Sequence, residues 1–170
     1  AVAIIPAAIL AGDVVRIENI PQISDVGLII EILDNLGAQV KLINKNTIEI
    51  DTTHIEYKSV PYELASGFRA SYYLIGIMLG RFKKAEVPLP GGCNFGVRPI
   101  DLHIKGFEAL GAEVNIENGC VCANADKLVG ASVYMDQVSV GATINIMLAA
   151  VLSRGLTVIE NAAKEPHIVD

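Results

Sequence analysis

A short string returns along this chain at a fixed distance. LGAQV at 36–40 reappears as LGAEV at 110–114, a period of about 75 residues. A second pair, VVRIENIP at 14–21 and LTVIENAA at 156–163, follows a small-residue stretch each time, AAILAG in one case and MLAAVLSRG in the other. A third such stretch, ASYYLIGIMLGRF, precedes AEVPLPGG in the same way. The unit therefore reads helix, strand, helix, LGA, strand, turn, strand. The 170 residues hold two such units and the opening of a third, with boundaries near 1–58, 59–130 and 131–170. Repeated units bury their faces against each other, so an incomplete third unit leaves apolar surface uncovered. Both ends read as cut from something longer. Ala1 enters an apolar helical stretch with no cap before it, and Asp170 follows EPHIV with no stop signal.

Within a unit the residue pattern is specific. Val26, Ile29, Ile30 and Leu33 recur at helical spacing, while Glu31, Asp34 and Asn35 face away. Gly37 then supplies the left-handed residue that often ends a helix. AQVKLI and NTIEID alternate as half-buried strands around an Asn44-Lys45-Asn46 turn. In the second unit Ile100, Ile104 and Phe107 mark the helix face, and Asn118-Gly119 is a two-residue hairpin turn. Helices are expected at 3–11, 24–36, 66–82, 100–110 and 142–153. The small-residue helices are apolar nearly all round, which buries them inside a mixed α/β (α+β) fold with sheets packed around them.

Composition excludes several classes. Hydrophobic residues make up 52% of the chain and mean hydropathy is +0.46, so disorder is ruled out. Net charge is −6, without the clustered Lys and Arg of a nucleic-acid binder. Trp is absent and aromatics are 5%, which leaves no stacking platform for bases. The uncharged stretch from Val138 to Ser153 is short for a bilayer span and carries Ser139, Thr143 and Asn145, so no membrane is expected. No signal peptide is read at the start, where Pro6 interrupts the apolar stretch and no basic region precedes it. Three cysteines argue against a disulfide framework and fit a reducing, cytoplasmic compartment. Cys120 and Cys122 are too close for a structural zinc pair and read as ordinary strand residues on one face. No metal and no cofactor are expected.

The chemistry-bearing stretch is PLPGGCNFGVRPIDLH at 88–103. Gly91 and Gly92 free the backbone ahead of Cys93. Arg98 follows, Pro99 suits the first position of a helix, and Asp101 and His103 fall in its first turn. A cation and a helix N-terminus lower a thiol pKa and also bind anions. A structural Gly/Pro loop with an incidental cysteine accounts for the same residues. From the residues alone Arg69 reads first as a solvated helix charge, and His103 reads equally as a packed helix residue. His54 and His167 read as surface residues, and Lys83-Lys84 as a solvated helix end.

LPGGC-x-x-G-x-RPIDLH-x-x-G-x-x-x-LGA resembles the UDP-N-acetylglucosamine 1-carboxyvinyltransferases. PYELASGFRAS at 61–71, DQVSVGATINIMLAA at 136–150 and IENAAKEPHIVD at 159–170 resemble three further blocks of that family in the same order. The resemblance implies an inside-out repeat fold of two lobes, with the active site in the cleft between them and this chain as most of one lobe. It implies transfer of the enolpyruvyl group of phosphoenolpyruvate to the 3-hydroxyl of UDP-N-acetylglucosamine, with release of phosphate. Cys93 falls on the family's loop cysteine, which protonates or adds to phosphoenolpyruvate and is alkylated by fosfomycin. Arg98 falls on a phosphoenolpyruvate-binding arginine and Arg69 on a nucleotide-sugar ligand. Arg98, Pro99, Ile100, Asp101 and Leu102, with Gln137, Val138, Ser139 and Val140, fall on segments lining the nucleotide-sugar site. The family's Lys-Asn pair, expected just before Ala1, and the second lobe with its aspartate base are not in this sequence. The chain alone is therefore expected to be inactive and to self-associate. The competing readings are a non-catalytic nucleotide-sugar-binding module and a structural repeat.

Overall fold

The computed structural model describes residues 1–66, 69–89 and 100–169. The first unit comprises α1 (Ile4–Ala11), β1 (Val14–Ile17), α2 (Ser24–Asn35), β2 (Gln39–Asn44) and β3 (Thr47–Asp51). The second opens with the short α3 (Tyr62–Ala65) and a 3-10 turn at Arg69–Tyr72. It continues through α4 (Tyr73–Phe82), β4 (Lys84–Pro88), α5 (Asp101–Ala109), β5 (Glu113–Glu117) and β6 (Cys120–Asn124). Then come β7 (Ser132–Tyr134), α6 (Val140–Ala150), β8 (Val158–Glu160) and α7 (Pro166–Val169).

The repeat is visible in the sheets. The first unit forms an antiparallel sheet in the order β1-β3-β2 and the second an antiparallel sheet in the order β4-β6-β5. Each LGA string ends its helix with the same hydrogen bonds. Gly37 N–H donates to the Asp34 carbonyl at 2.9 Å and Ala38 N–H to that of Leu33 at 2.9 Å. Gly111 N–H donates to Glu108 at 2.9 Å and Ala112 N–H to Phe107 at 3.0 Å. This is the Schellman motif, in which the residue after the cap must turn left-handed. The φ angles of Gly37 and Gly111 are 97° and 96°, a region where a side chain is strained. The following alanine packs back on the helix: Ala38, Leu33, Ala112 and Phe107 are all buried.

α4 occupies the centre. Leu74 through Gly80 are all buried, as an all-round apolar helix requires. It packs against α1, α6 and β4, while α5 lies on α6. Glycine sets how closely these helices approach. A Cβ on Gly76 would overlap the carbonyl and Oδ1 of Asn145, and one on Gly106 would overlap Ile146. The sheets cover this helical interior with Ile48 and Ile50 of β3 and Val121 and Ala123 of β6.

Several expectations are corrected. The helix expected over 66–82 is not one helix: α3 ends at Ala65, a 3-10 turn covers Arg69–Tyr72, and α4 starts only at Tyr73. The side chain of Asn145 inserts at that junction and takes the Tyr72 carbonyl, a partner outside the helix. α6 begins two residues before Ala142, because Ser139 caps it, and ends at Ala150. β2 is not half-buried along its length. It is an edge strand with one neighbour, and Leu42 is 68% exposed. The strand β7, which pairs in parallel with β8, and the short helices α3 and α7 were not foreseen. Lys83 is not a solvated helix end: it caps α4 in the left-handed region at φ 61° and is half-buried, with Nζ donating to the Gly80 carbonyl. Lys84 begins β4. Cys120 and Cys122 share one face of β6, both half-buried, and burial pushes the Cys122 thiol up. His54 and His167 are exposed, as expected. No helix among the described residues is long and apolar enough to cross a membrane.

Candidate active site

Two helix starts meet where α5 packs on α6. At the first, Ile100 is the buried N-cap of α5 and Asp101 is exposed in the first turn, where a carboxylate suits the helix dipole. Leu102 is half-buried and His103 points inward. At the second, Ser139 is the extended N-cap of α6, and its Oγ accepts the Ala142 N–H at 3.3 Å. Its carbonyl accepts the Thr143 hydroxyl at 2.7 Å, and Thr143 Oγ1 accepts the Ala163 N–H at 3.1 Å. The N–H groups of Val140 and Gly141 precede the first intrahelical bond and face outward along the axis, suited to an anionic oxygen. Gln137 and Val138 are exposed on the approach to this helix.

An ion pair holds the two starts side by side. Lys105 Nζ on α5 lies 2.7 Å from Asp136 Oδ2, the residue before Gln137. The pair is exposed and contributes at most about 1 kcal/mol. Arg69 stands exposed on the 3-10 turn, and its positive charge reaches His103. Burial, with that charge second, pushes the His103 pKa down to about 4. Cys93, Arg98 and Pro99 lie outside the described residues. The structure thus gathers Ile100, Asp101 and Leu102 beside Gln137, Val138, Ser139 and Val140, with Arg69 near.

Behind these residues lies a buried polar cluster. Asn145 of α6 is 0% exposed. Its Oδ1 accepts the Gly76 N–H at 2.9 Å, and its Nδ2 donates to the Tyr72 carbonyl at 2.8 Å. The same Nδ2 lies 2.9 Å from His103 Nδ1. The Tyr72 ring stands 5.7 Å from the imidazole, tilted by 42°. His103 is therefore packed, as one of its two readings held, yet it sits directly behind the two helix starts. Sequence reasoning gave no role to Asn145. Its signal was an amide in the middle of VGATINIMLAA, an otherwise apolar helix.

A cavity among the described residues lies elsewhere. About 580 Å³ in volume, it is lined by Lys83, Gly111, Glu113, Lys127 and Gly130 at the far end of α5, and it includes none of the expected site residues. Among the described residues no group of three His, Cys, Asp or Glu side chains is placed to hold a metal ion.

Residues 1–170 match the family described as EPSP synthase (3-phosphoshikimate 1-carboxyvinyltransferase). The chain belongs to the EPSP synthase family. Within that family its similar curated relatives carry a different name. It is 60% identical over 171 residues to UDP-N-acetylglucosamine 1-carboxyvinyltransferase 2 of Clostridium acetobutylicum, covering 100% of this chain and 41% of the relative. It is 55% identical over 170 residues to the enzyme of that name from Bacillus subtilis, covering 100% of this chain and 39% of the relative. The chain thus spans well under half the length of these relatives. The crystal structure of the enolpyruvyl transferase NikO from Streptomyces tendae superposes with a TM-score of 0.83 at 22% identity, over 99% of this chain and 40% of that one. EPSP synthase from Acinetobacter baumannii superposes at 0.74 with 14% identity, over 98% of this chain and 40% of that one. The family's fold of buried helices surrounded by sheets is therefore the fold of this chain.

Proposed function

We propose that the protein, at the full length of its relatives, transfers the enolpyruvyl group of phosphoenolpyruvate to the 3-hydroxyl of UDP-N-acetylglucosamine. This is the first committed step of peptidoglycan precursor synthesis, and it places the protein in the cytoplasm. The observation that carries the reading is identity of 55–60% along the whole chain to relatives of that name. The chain supplies one lobe, built of units near 1–58, 59–130 and 131–170. The remaining length supplies the second lobe and the base for the sugar hydroxyl.

The residues divide the work as the chemistry requires. Cys93 delivers a proton to the methylene carbon of phosphoenolpyruvate, and cationic character develops at the neighbouring carbon. The sugar 3-hydroxyl oxygen bonds to that carbon while its proton passes to the base. Cleavage of the carbon–oxygen bond to phosphate and loss of a methyl proton then restore the double bond. Arg98 holds the phosphoenolpyruvate anion with planar, paired contacts. Arg69, with the N–H groups at Val140 and Gly141, receives the nucleotide-sugar diphosphate, and Ile100 to Leu102 with Gln137 to Ser139 form its walls.

Phosphate release by the full-length protein tests the assignment. Cys93→Ser keeps UDP-N-acetylglucosamine binding and loses most turnover, since a hydroxyl is a far weaker acid than a thiol. Cys93→Asp keeps substantial turnover and resists fosfomycin if the thiol acts as an acid; it is as inactive as Cys93→Ser if covalent capture is obligatory. Unchanged rates in Cys93→Ser, or no phosphate release by the unaltered protein, would count against the reading. Tight nucleotide-sugar binding without turnover would favour a binding module.

A further inference from the structure

We propose that Asn145 is a positioning residue: its side-chain amide fixes the proton of His103 on Nε2 and turns that N–H toward the first turn of α6. There it serves as an additional donor to the nucleotide-sugar diphosphate, an inference that rests on the function proposed above.

The argument begins with two backbone groups whose polarity is beyond choice. Gly76 N–H can only donate, so Asn145 presents its oxygen there, at 2.9 Å. The Tyr72 carbonyl can only accept, so Asn145 presents its NH2 there, at 2.8 Å. The usual ambiguity between amide oxygen and nitrogen is thereby removed. Nδ2 is also the atom that meets His103 Nδ1 at 2.9 Å. An amide NH2 offers only hydrogens, so Nδ1 accepts through its lone pair. A neutral imidazole whose Nδ1 accepts carries its proton on Nε2. A doubly protonated ring would set N–H against N–H, so the amide excludes it.

Nε2 has a definite outlook. A Cβ on Gly141 would lie 3.8 Å from His103 Nε2 and 3.7 Å from Cε1, so this edge of the ring faces the N-terminal turn of α6. The Nε2–H is thus turned to the helical turn that also carries the Val140 and Gly141 N–H groups. Arg69 adds positive potential from the 3-10 turn. Asn145 joins three elements at one point: the Tyr72–Gly76 turn that opens α4, His103 of α5, and its own helix α6. A carboxylate at this position would reverse the polarity at His103 Nδ1, and an aliphatic side chain would leave both backbone groups without the amide.

The test uses the full-length protein with 15N-labelled histidine. Long-range proton–nitrogen spectra of the unaltered protein should show His103 as the Nε2–H tautomer, unchanged between about pH 5 and 8. An Nδ1–H tautomer, or titration near the ordinary value of about 6.5, overturns the proposal without need of any variant. Asn145→Asp keeps the size and the Gly76 bond but makes Nδ1 the donor. The proton should move to Nδ1, and KM for UDP-N-acetylglucosamine should rise by about tenfold or more with a smaller change in kcat. In a His103→Phe background the same substitution should raise KM no further. A further rise there assigns Asn145 a purely structural role and overturns the proposal. Addition of UDP-N-acetylglucosamine separates the two readings. Shifts at the Ser139 and Val140 amides without one at His103 Nε2 sink this inference alone, and shifts at none of them sink the proposed function with it.

Discussion

Burial leaves the His103 imidazole neutral in the folded protein, with a pKa of about 4, while the unfolded chain binds its proton at the ordinary value of about 6.5. Between those values the unfolded state holds more protons than the folded one. Stability from this group is therefore complete above the ordinary value and is lost as pH falls toward 4. The difference is on the order of 3 kcal/mol at full effect. Denaturant unfolding at about pH 4.5 and about pH 7 should show this loss in the unaltered protein and a clearly smaller one in His103→Gln. Equal pH dependence in both would show that other groups carry the effect. A second residue-scale expectation concerns the turn glycines. Gly37→Ala and Gly111→Ala place a side chain at φ 97° and 96° and should each cost about 1 kcal/mol or more.

At the scale of elements, glycines of identical chemistry should respond in opposite ways. Gly76→Ala drives a methyl group into Asn145, where α4 meets α6, and Gly106→Ala drives one into Ile146, where α5 meets α6. Each should destabilise by roughly 1–3 kcal/mol, as overpacking does. Gly27 lies exposed within α2 with nothing within 4 Å of its Cβ position, so Gly27→Ala should stabilise by about 0.5–1 kcal/mol. Thermal unfolding of the three variants checks the contrast, and a common sign would contradict the packing described. The same elements show what was legible in the sequence. The LGA stops and the Asn118-Gly119 hairpin were readable because their signals are local: a glycine in a left-handed position and a two-residue turn. The break at Arg69–Tyr72 was not, because it depends on Asn145, 73 residues away from Tyr72, reaching into the start of α4. The site divides along the same line. The helix starts that hold the candidates Asp101, Ser139 and Val140 were legible through local signals and a motif. Asn145 and the setting of His103 arise only when α4, α5 and α6 pack together.

Across the whole molecule the apolar surface is uneven. Met147, Val151, Leu152, Leu156 and Val158 are 42%, 62%, 44%, 80% and 44% exposed, a consecutive run from late α6 into β8. β8 follows its helix as β1 follows α1 and β4 follows α4. β1 pairs with β3 and β4 with β6, yet among the described residues β8 pairs only with β7, in a two-stranded sheet. An open strand edge beside an apolar strip is a template for association. The relatives are more than twice this length, so at full length further chain is on hand to cover the strip. Residues 1–170 expressed alone should therefore self-associate, and Leu156→Glu should shift them toward monomer by placing a charge in the strip. At full length the same substitution should do the reverse, burying a carboxylate and lowering stability by several kcal/mol. Sedimentation velocity of the short form and thermal unfolding of the long form check the two halves. A monomeric short form at high concentration, or a full-length Leu156→Glu variant as stable as its parent, would show that nothing in the intact protein covers this face.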